Sequence, residues 1–315
     1  MNHPMMWIGF TVLVLIVLVL DLGLLNRRAH EPSFREAAMW SSIWISIAVL
    51  FGGWVFVKLG AQTGIQFTTA YLIELSLSVD NVFLFAVIFS QFSVERRHQH
   101  RVLFWGILGA VAMRGAMIAA GTALISAFHW ITIVFGVFLM FTGVRMFLHR
   151  HREADVTDMA VLRWLKAHLR LTDQFDGQRF FTVIDGIRHA TPLFLVLIIV
   201  ELTDLMFAVD SIPAVLAISR DPFIVFTSNV FAILGLRSFY FLLAGVMGMF
   251  EYLSIGLAAV LIYVGFKMLG ILDIPTPVSL GIIVAILGIS IAASVIKARR
   301  STPTEASEAI PHHSG

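Results

Sequence analysis

The chain contains no cysteine, which excludes disulfides, thiolate metal sites and thiol redox chemistry. Charge is scarce as well. Only 13% of the residues are Asp, Glu, Lys or Arg, where a soluble chain carries about a quarter. No Walker-type phosphate loop is present, so nothing suggests ATP coupling, and no His-Glu-x-x-His run suggests a zinc protease. What fills the chain instead is apolar: 58% of residues are hydrophobic and the mean hydropathy is +0.89. That composition belongs to an all-α, multi-pass membrane protein. The first apolar run, Met5 to Leu20, has no basic leader and no small-residue cleavage site, and is expected to be a retained helix.

Nine spans are expected, at 5–24, 38–58, 68–92, 102–125, 129–148, 190–219, 223–247, 252–270 and 276–297. Basic residues alternate between their connections. Arg27, Arg28 and Arg35 precede span two, Arg96, Arg97 and Arg101 precede span four, and Arg150 to Arg188 precede span six. Lys297, Arg299 and Arg300 follow span nine, whereas the intervening loops carry few cations. The positive-inside rule then places the N-terminus outside and the C-terminus in the cytoplasm. The formal charge of +2 reports this topology and not nucleic-acid binding. Within 149–189, residues 160–171 read as a basic amphipathic helix on the inner leaflet, and Asp185-Gly186 as the turn of a β-hairpin. The Ser-, Thr-, Pro- and Glu-rich tail 301–315 reads as disordered.

Two spans carry acids that are expensive at membrane depth, about 2.5–3.5 kcal/mol for an Asp at a helix centre. Glu201, Asp204 and Asp210 lie in span six, and Glu74 and Asp80 in span three. The two stretches superpose without a gap. Glu74 falls on Asp204, Asp80 on Asp210, and Asn81 on Ser211, while Glu201 has no counterpart. An odd number of crossings separates the spans, so they run in opposite directions. Arg114 likewise matches Arg237, and Phe141–Met146 matches Tyr263–Met268. The expected core is therefore an inverted repeat of three plus three helices, 66–148 and 190–270. Residues 1–65 and 271–300 supply peripheral helices.

On an ideal helix Glu74, Ser78 and Asn81 share a face, as do Asp204, Ala208 and Ser211, with Glu201 about 60° away. Asp80 lies off that face. Asp210 joins it only if the helix unwinds, and Pro213, which cannot bond the Val209 carbonyl, predicts such a break. Five carboxylates with Asn81, Ser76, Ser78, Thr203 and Ser211 make an all-oxygen set suited to Mg²⁺, Ca²⁺ or Mn²⁺. Crowded carboxylates in one pocket cannot all ionise, so the surplus is expected to hold protons that a metal would expel. A purely structural role, with the acids paired to Arg114 and Arg237, leaves five acids against two arginines. The arginines themselves are expected to make structural pairs.

Glu-Leu-Ser-Leu-Ser-Val-Asp-Asn at 74–81, the long motif at 201–214 and Asp-Pro-Phe-Ile-Val-Phe-Thr-Ser-Asn at 221–229 resemble the TerC family of bacterial inner-membrane proteins. The likeness runs from about residue 7 to 297 and is nearest to the Alx-type members. It implies Mn²⁺ export by Glu74, Asp80, Glu201, Asp204 and Asp210, with no permanent cofactor. The family name derives from tellurium resistance, but an acidic pocket should repel an oxyanion, so that phenotype is expected to be indirect. The resulting expectation is a proton-coupled Mn²⁺ exporter, not an enzyme, with Glu201 as leading proton carrier. The alternatives are export of another hard cation such as Ca²⁺, and an intramembrane aspartyl protease using Asp80 and Asp210.

Overall fold

Local signals start and stop the helices. Ser33 caps the second one, its hydroxyl accepting the Glu36 N–H at 3.2 Å. Gly60, at φ 95°, separates the second helix from the third, and Pro192 opens the sixth at a position where its missing N–H costs nothing. In the computed structural model the helices are α1 (Pro4–Leu24), α2 (Phe34–Leu59), α3 (Ala61–Gln91), α4 (Arg96–Ala127) and α5 (Ile131–Leu148). They continue as α6 (Pro192–Leu216), α7 (Pro222–Leu243), α8 (Leu253–Met268) and α9 (Thr276–Ser301). Each expected span has its helix. The structure describes residues 4–24, 33–148, 174–243, 252–272 and 274–301, with a few positions between 164 and 172.

Seven of these helices are long and apolar enough to cross a membrane, and the described apolar parts of α1 and α8 are shorter. The protein is a multi-pass, all-α membrane protein. Between α5 and α6 the Asp-Gly hairpin forms: β1 (Phe181–Ile184) pairs antiparallel with β2 (Ile187–Ala190). Asp185 and Gly186 both take positive φ, as a two-residue hairpin turn requires. The expected amphipathic helix at 160–171 and the tail fall largely outside the described residues.

Burial shows which helix is central. In α7, 89% of the most apolar window is buried, against 22% in α2 and α5 and 28% in α9. An apolar helix that deeply enclosed cannot be facing lipid; it is the post around which α2, α3 and α4 pack. α3 and α4 each also pack on α6, and α5 forms a close pair with α8. Glycines permit that pairing. A Cβ on Gly143 would meet the Ala258 carbonyl oxygen at 2.8 Å, and one on Gly265 would meet the Gly136 carbonyl oxygen at 2.8 Å.

One expectation fails. α6 is not broken beside Asp210; it runs unbroken through Pro213 to Leu216. The proline removes a single bond, to the Val209 carbonyl, and it lies in the last turns of the helix. Its own carbonyl accepts the Ala217 N–H at 3.0 Å, and residues 211–216 are all buried, so packing holds the helix shape. α3 is likewise continuous through Asp80.

Candidate functional site

Helical periodicity decides which acids meet. Glu74, Ser78 and Asn81 lie on the buried face of α3, and Asp204, Ala208 and Ser211 on that of α6. Both faces turn toward α4 and α7, and the groups that meet them there are Arg114 and Asn229. Arg114 Nη1 donates to Glu74 Oε2 at 2.8 Å. Its Nη2 and Nε grip Asp204, at 2.9 Å to Oδ1 and 3.1 Å to Oδ2, in a two-point ion pair. The same Nη1 also lies 3.3 Å from Asn229 Oδ1 and 3.4 Å from Ser211 Oγ. Asn229 Nδ2 donates to Glu74 Oε1 at 2.7 Å, and Asn81 Nδ2 reaches Asp204 Oδ1 at 3.5 Å. All of these side chains are almost fully buried.

The centre is thus a closed polar knot tying four helices, in which one guanidinium faces two carboxylates. If both acids are ionised it carries one excess negative charge. Glu201, one turn before Asp204 on α6, is half-buried and within electrostatic reach of Asp204. Its carboxylate sits in a niche on α4 that exists because residue 109 is glycine; a Cβ there would collide with it.

Asp80 and Asp210 are elsewhere. Each lies six residues beyond its central partner, about 9 Å along the helix and about 120° around it. Asp80 Oδ1 accepts from Ser254 Oγ on α8 at 3.2 Å, and Asp210 Oδ1 accepts from Thr142 Oγ1 on α5 at 3.1 Å. Each acid therefore hooks one helix of the α5–α8 pair onto the core. Because α6 does not unwind, Asp210 stays off the central face, and the five acids do not form one shell. Among the described residues no three His, Cys, Asp or Glu side chains cluster closely enough to hold a metal ion. Thr203 is buried with its Oγ1 unbonded, Ser76 bonds its own helix at the Leu72 carbonyl (2.7 Å), and Arg237 is buried on α7 about two turns beyond Asn229.

Sequence reasoning missed Asn229, Thr142, Ser254 and Gly109. Asn229 carried a legible signal, an amide within an apolar span. The other three are ordinary residues of membrane helices, and only their neighbours give them a role.

Comparison with known proteins agrees over nearly the whole molecule. The model of the integral membrane protein TerC family matches residues 59–302. An uncharacterized membrane protein of Myxococcus xanthus is 50% identical over 307 residues, covering 97% of this chain and 96% of the relative. The Alx protein of Escherichia coli K12, named for a proposed role as a membrane-bound redox modulator, is 50% identical over 296 residues, 90% of this chain and 92% of its own. A membrane protein of Rickettsia bellii is 38% identical over 295 residues, 93% of this chain and 98% of its own. No solved structure matches. With a family model across most of its length and full-length relatives at half identity, the chain belongs to the TerC family of integral membrane proteins.

Proposed function

We propose that the protein is a secondary transporter of the bacterial inner membrane that exports Mn²⁺ through the Glu74–Asp204 centre in exchange for protons. The observation that carries this reading is one buried guanidinium held by two carboxylates, one from each acidic motif. A cation already sits there, tethered to α4. When Arg114 turns aside it leaves two carboxylates, the amide oxygens of Asn81 and Asn229, and the Ser211 hydroxyl. These are hard oxygen donors of the kind Mn²⁺ and Ca²⁺ take. Arg114 thus keeps the acids paired while the site is empty, since a lone buried charge would be costly.

Inverted repetition, the usual framework for such transport, is supported by the pairing of the helices. Exchanging α3 with α6, α4 with α7 and α5 with α8 turns the α3–α7 contact into the α6–α4 contact, and both are extensive. It also turns the Gly143 approach to Ala258 into the Gly265 approach to Gly136. Glu201, unmatched in the first repeat and beside the centre, is the proposed proton carrier. Asp80 and Asp210 are proposed to act from the flanks and not as first ligands. The basic connections favour a cytoplasmic C-terminus. Ca²⁺ is the main alternative substrate, because an oxygen-only set accepts it too.

An aspartyl protease is disfavoured: Asp80 and Asp210 bond to different helices, and no hydrogen bond joins them among the described residues. A redox role of the kind named for Alx would have to proceed without thiols, since the chain has none. The test is cellular manganese in cells expressing the parent, Glu74→Gln or Asp204→Asn. The parent should lower it and both variants should fail while remaining in the membrane. Full export by either variant refutes the site.

A further inference from the structure

We infer that the central site is reached through two apolar gates, one on each side, built from equivalent residues of the two repeats. This rests on the transport reading, but its own evidence is the packing around the polar knot. One buried cluster, on the side of the hairpin, contains Val82, Phe85 and Val102. A separate buried cluster contains Ile212, Val215 and Val225. The register that sets Glu74 on Asp204 also sets Val82 on Ile212 and Phe85 on Val215. The register that sets Arg114 on Arg237 sets Val102 on Val225. Each of these three residues of the first cluster is therefore the repeat mate of one of the three in the second.

The two clusters lie on opposite sides of the centre. Phe85 follows Glu74 along α3 toward the 92–95 turn, where Val94 packs with the first cluster beside Leu193 at the start of α6. Val215 follows Asp204 along α6, away from the hairpin that precedes that helix. All six gate residues are 3% exposed or less. A hydrated cation cannot cross such packing, so the structure is closed on both sides. A narrow cavity of about 10 Å³, room for roughly one water, opens against Asp204, lined by Phe85, Leu103, Val200 and Leu236 of the first cluster and by Ile107 and Ala110 of α4.

Alternate opening of the two gates would carry a cation between the sides without a continuous pore. The absence of native cysteine makes this directly measurable. Single cysteines at Phe85 and Val102, and at Val215 and Val225, are labelled in sealed vesicles of either orientation with a small impermeant thiosulfonate. Ser93→Cys marks the hairpin side and Gln62→Cys the other. A gate open in a few per cent of molecules should slow labelling by about ten- to a hundredfold relative to those references. Phe85→Cys and Val102→Cys should react only from the Ser93 side, and Val215→Cys and Val225→Cys only from the Gln62 side. Reaction of either pair from the opposite side overturns the proposal, as does failure of either pair to react under any imposed pH gradient or with Mn²⁺ present. Should a variant not reach the membrane, Val82→Cys and Ile212→Cys probe the same gates. Sided labelling without Mn²⁺ transport would uphold the gates and refute only the choice of substrate.

Discussion

Replacing Arg114 by methionine is the most informative single change. The side chain makes two buried ion pairs, at 2.8 and 2.9 Å, and further contacts to Asp204, Ser211 and Asn229. Methionine keeps much of the volume and none of the charge, so Glu74 and Asp204 are left facing each other away from water. Breaking a buried pair in this way costs about 3–5 kcal/mol. At about 2–4 °C per kcal/mol for a domain of 150–250 residues, and less for a longer chain, the Tm should fall by about 5–10 °C. Thermal unfolding of the detergent-purified protein measures it. The triple variant Glu74→Gln, Asp204→Asn, Arg114→Met should recover more than half of the loss, because no unpaired charge remains. Mn²⁺ at a hundredfold excess over Kd should stabilise Arg114→Met by about 2.7 kcal/mol, and the parent by less, since in the parent the guanidinium competes. If Arg114→Met melts with the parent, or the triple variant is weaker still, the carboxylates are not held by Arg114 as described.

The remaining expectations concern the surroundings of the centre. Ser93→Cys should be shielded from an impermeant thiol reagent on whole cells while Gln62→Cys reacts; the reverse pattern would invert the topology. Gly109→Ala should drive a methyl group into the Glu201 carboxylate and weaken the dependence of transport on a pH gradient. Gly53→Ala, where a Cβ meets open space, should leave transport unchanged, and equal behaviour of the two would remove the niche from the mechanism. Asp80→Asn and Asp210→Asn should slow Mn²⁺ flux yet preserve Mn²⁺-induced stabilisation of Arg114→Met, because both acids sit off the centre. Loss of that stabilisation in either double variant would place the aspartate among the ligands.

Much of this arrangement could be read from the sequence, and its gaps have physical causes. Each span was legible because a membrane helix announces itself by continuous apolarity. The faces carrying Glu74 with Asn81 and Asp204 with Ser211 followed from helical periodicity alone. Asp210 lies off the centre because a proline in the final turns of a packed membrane helix removes one bond and leaves the shape intact, so the break that Pro213 predicts does not form. Only such a break would bring Asp210 to the centre. It bonds Thr142 instead, a residue no pattern singled out. Asn229 is visible as an amide in an apolar span, but an amide says nothing about which carboxylate it will reach until α7 is known to stand against α3. An arginine among membrane acids is expected to pair, but sequence does not show that Arg114 holds both central acids at once.

The central claim is that a proton gradient drives Mn²⁺ across this protein through its carboxylates. Deprotonation must accompany metal binding, so affinity should rise with pH and protons arriving on the acidic side should displace the metal. The direct measurement is Mn²⁺ flux into proteoliposomes under an imposed pH gradient, comparing the parent with Asp204→Asn and Glu201→Gln. The account predicts Mn²⁺ movement toward the acidic compartment by the parent, none by Asp204→Asn, and flux by Glu201→Gln that no longer responds to the gradient. Mn²⁺ flux in the parent that ignores the gradient, or persists unchanged in Asp204→Asn, would contradict it.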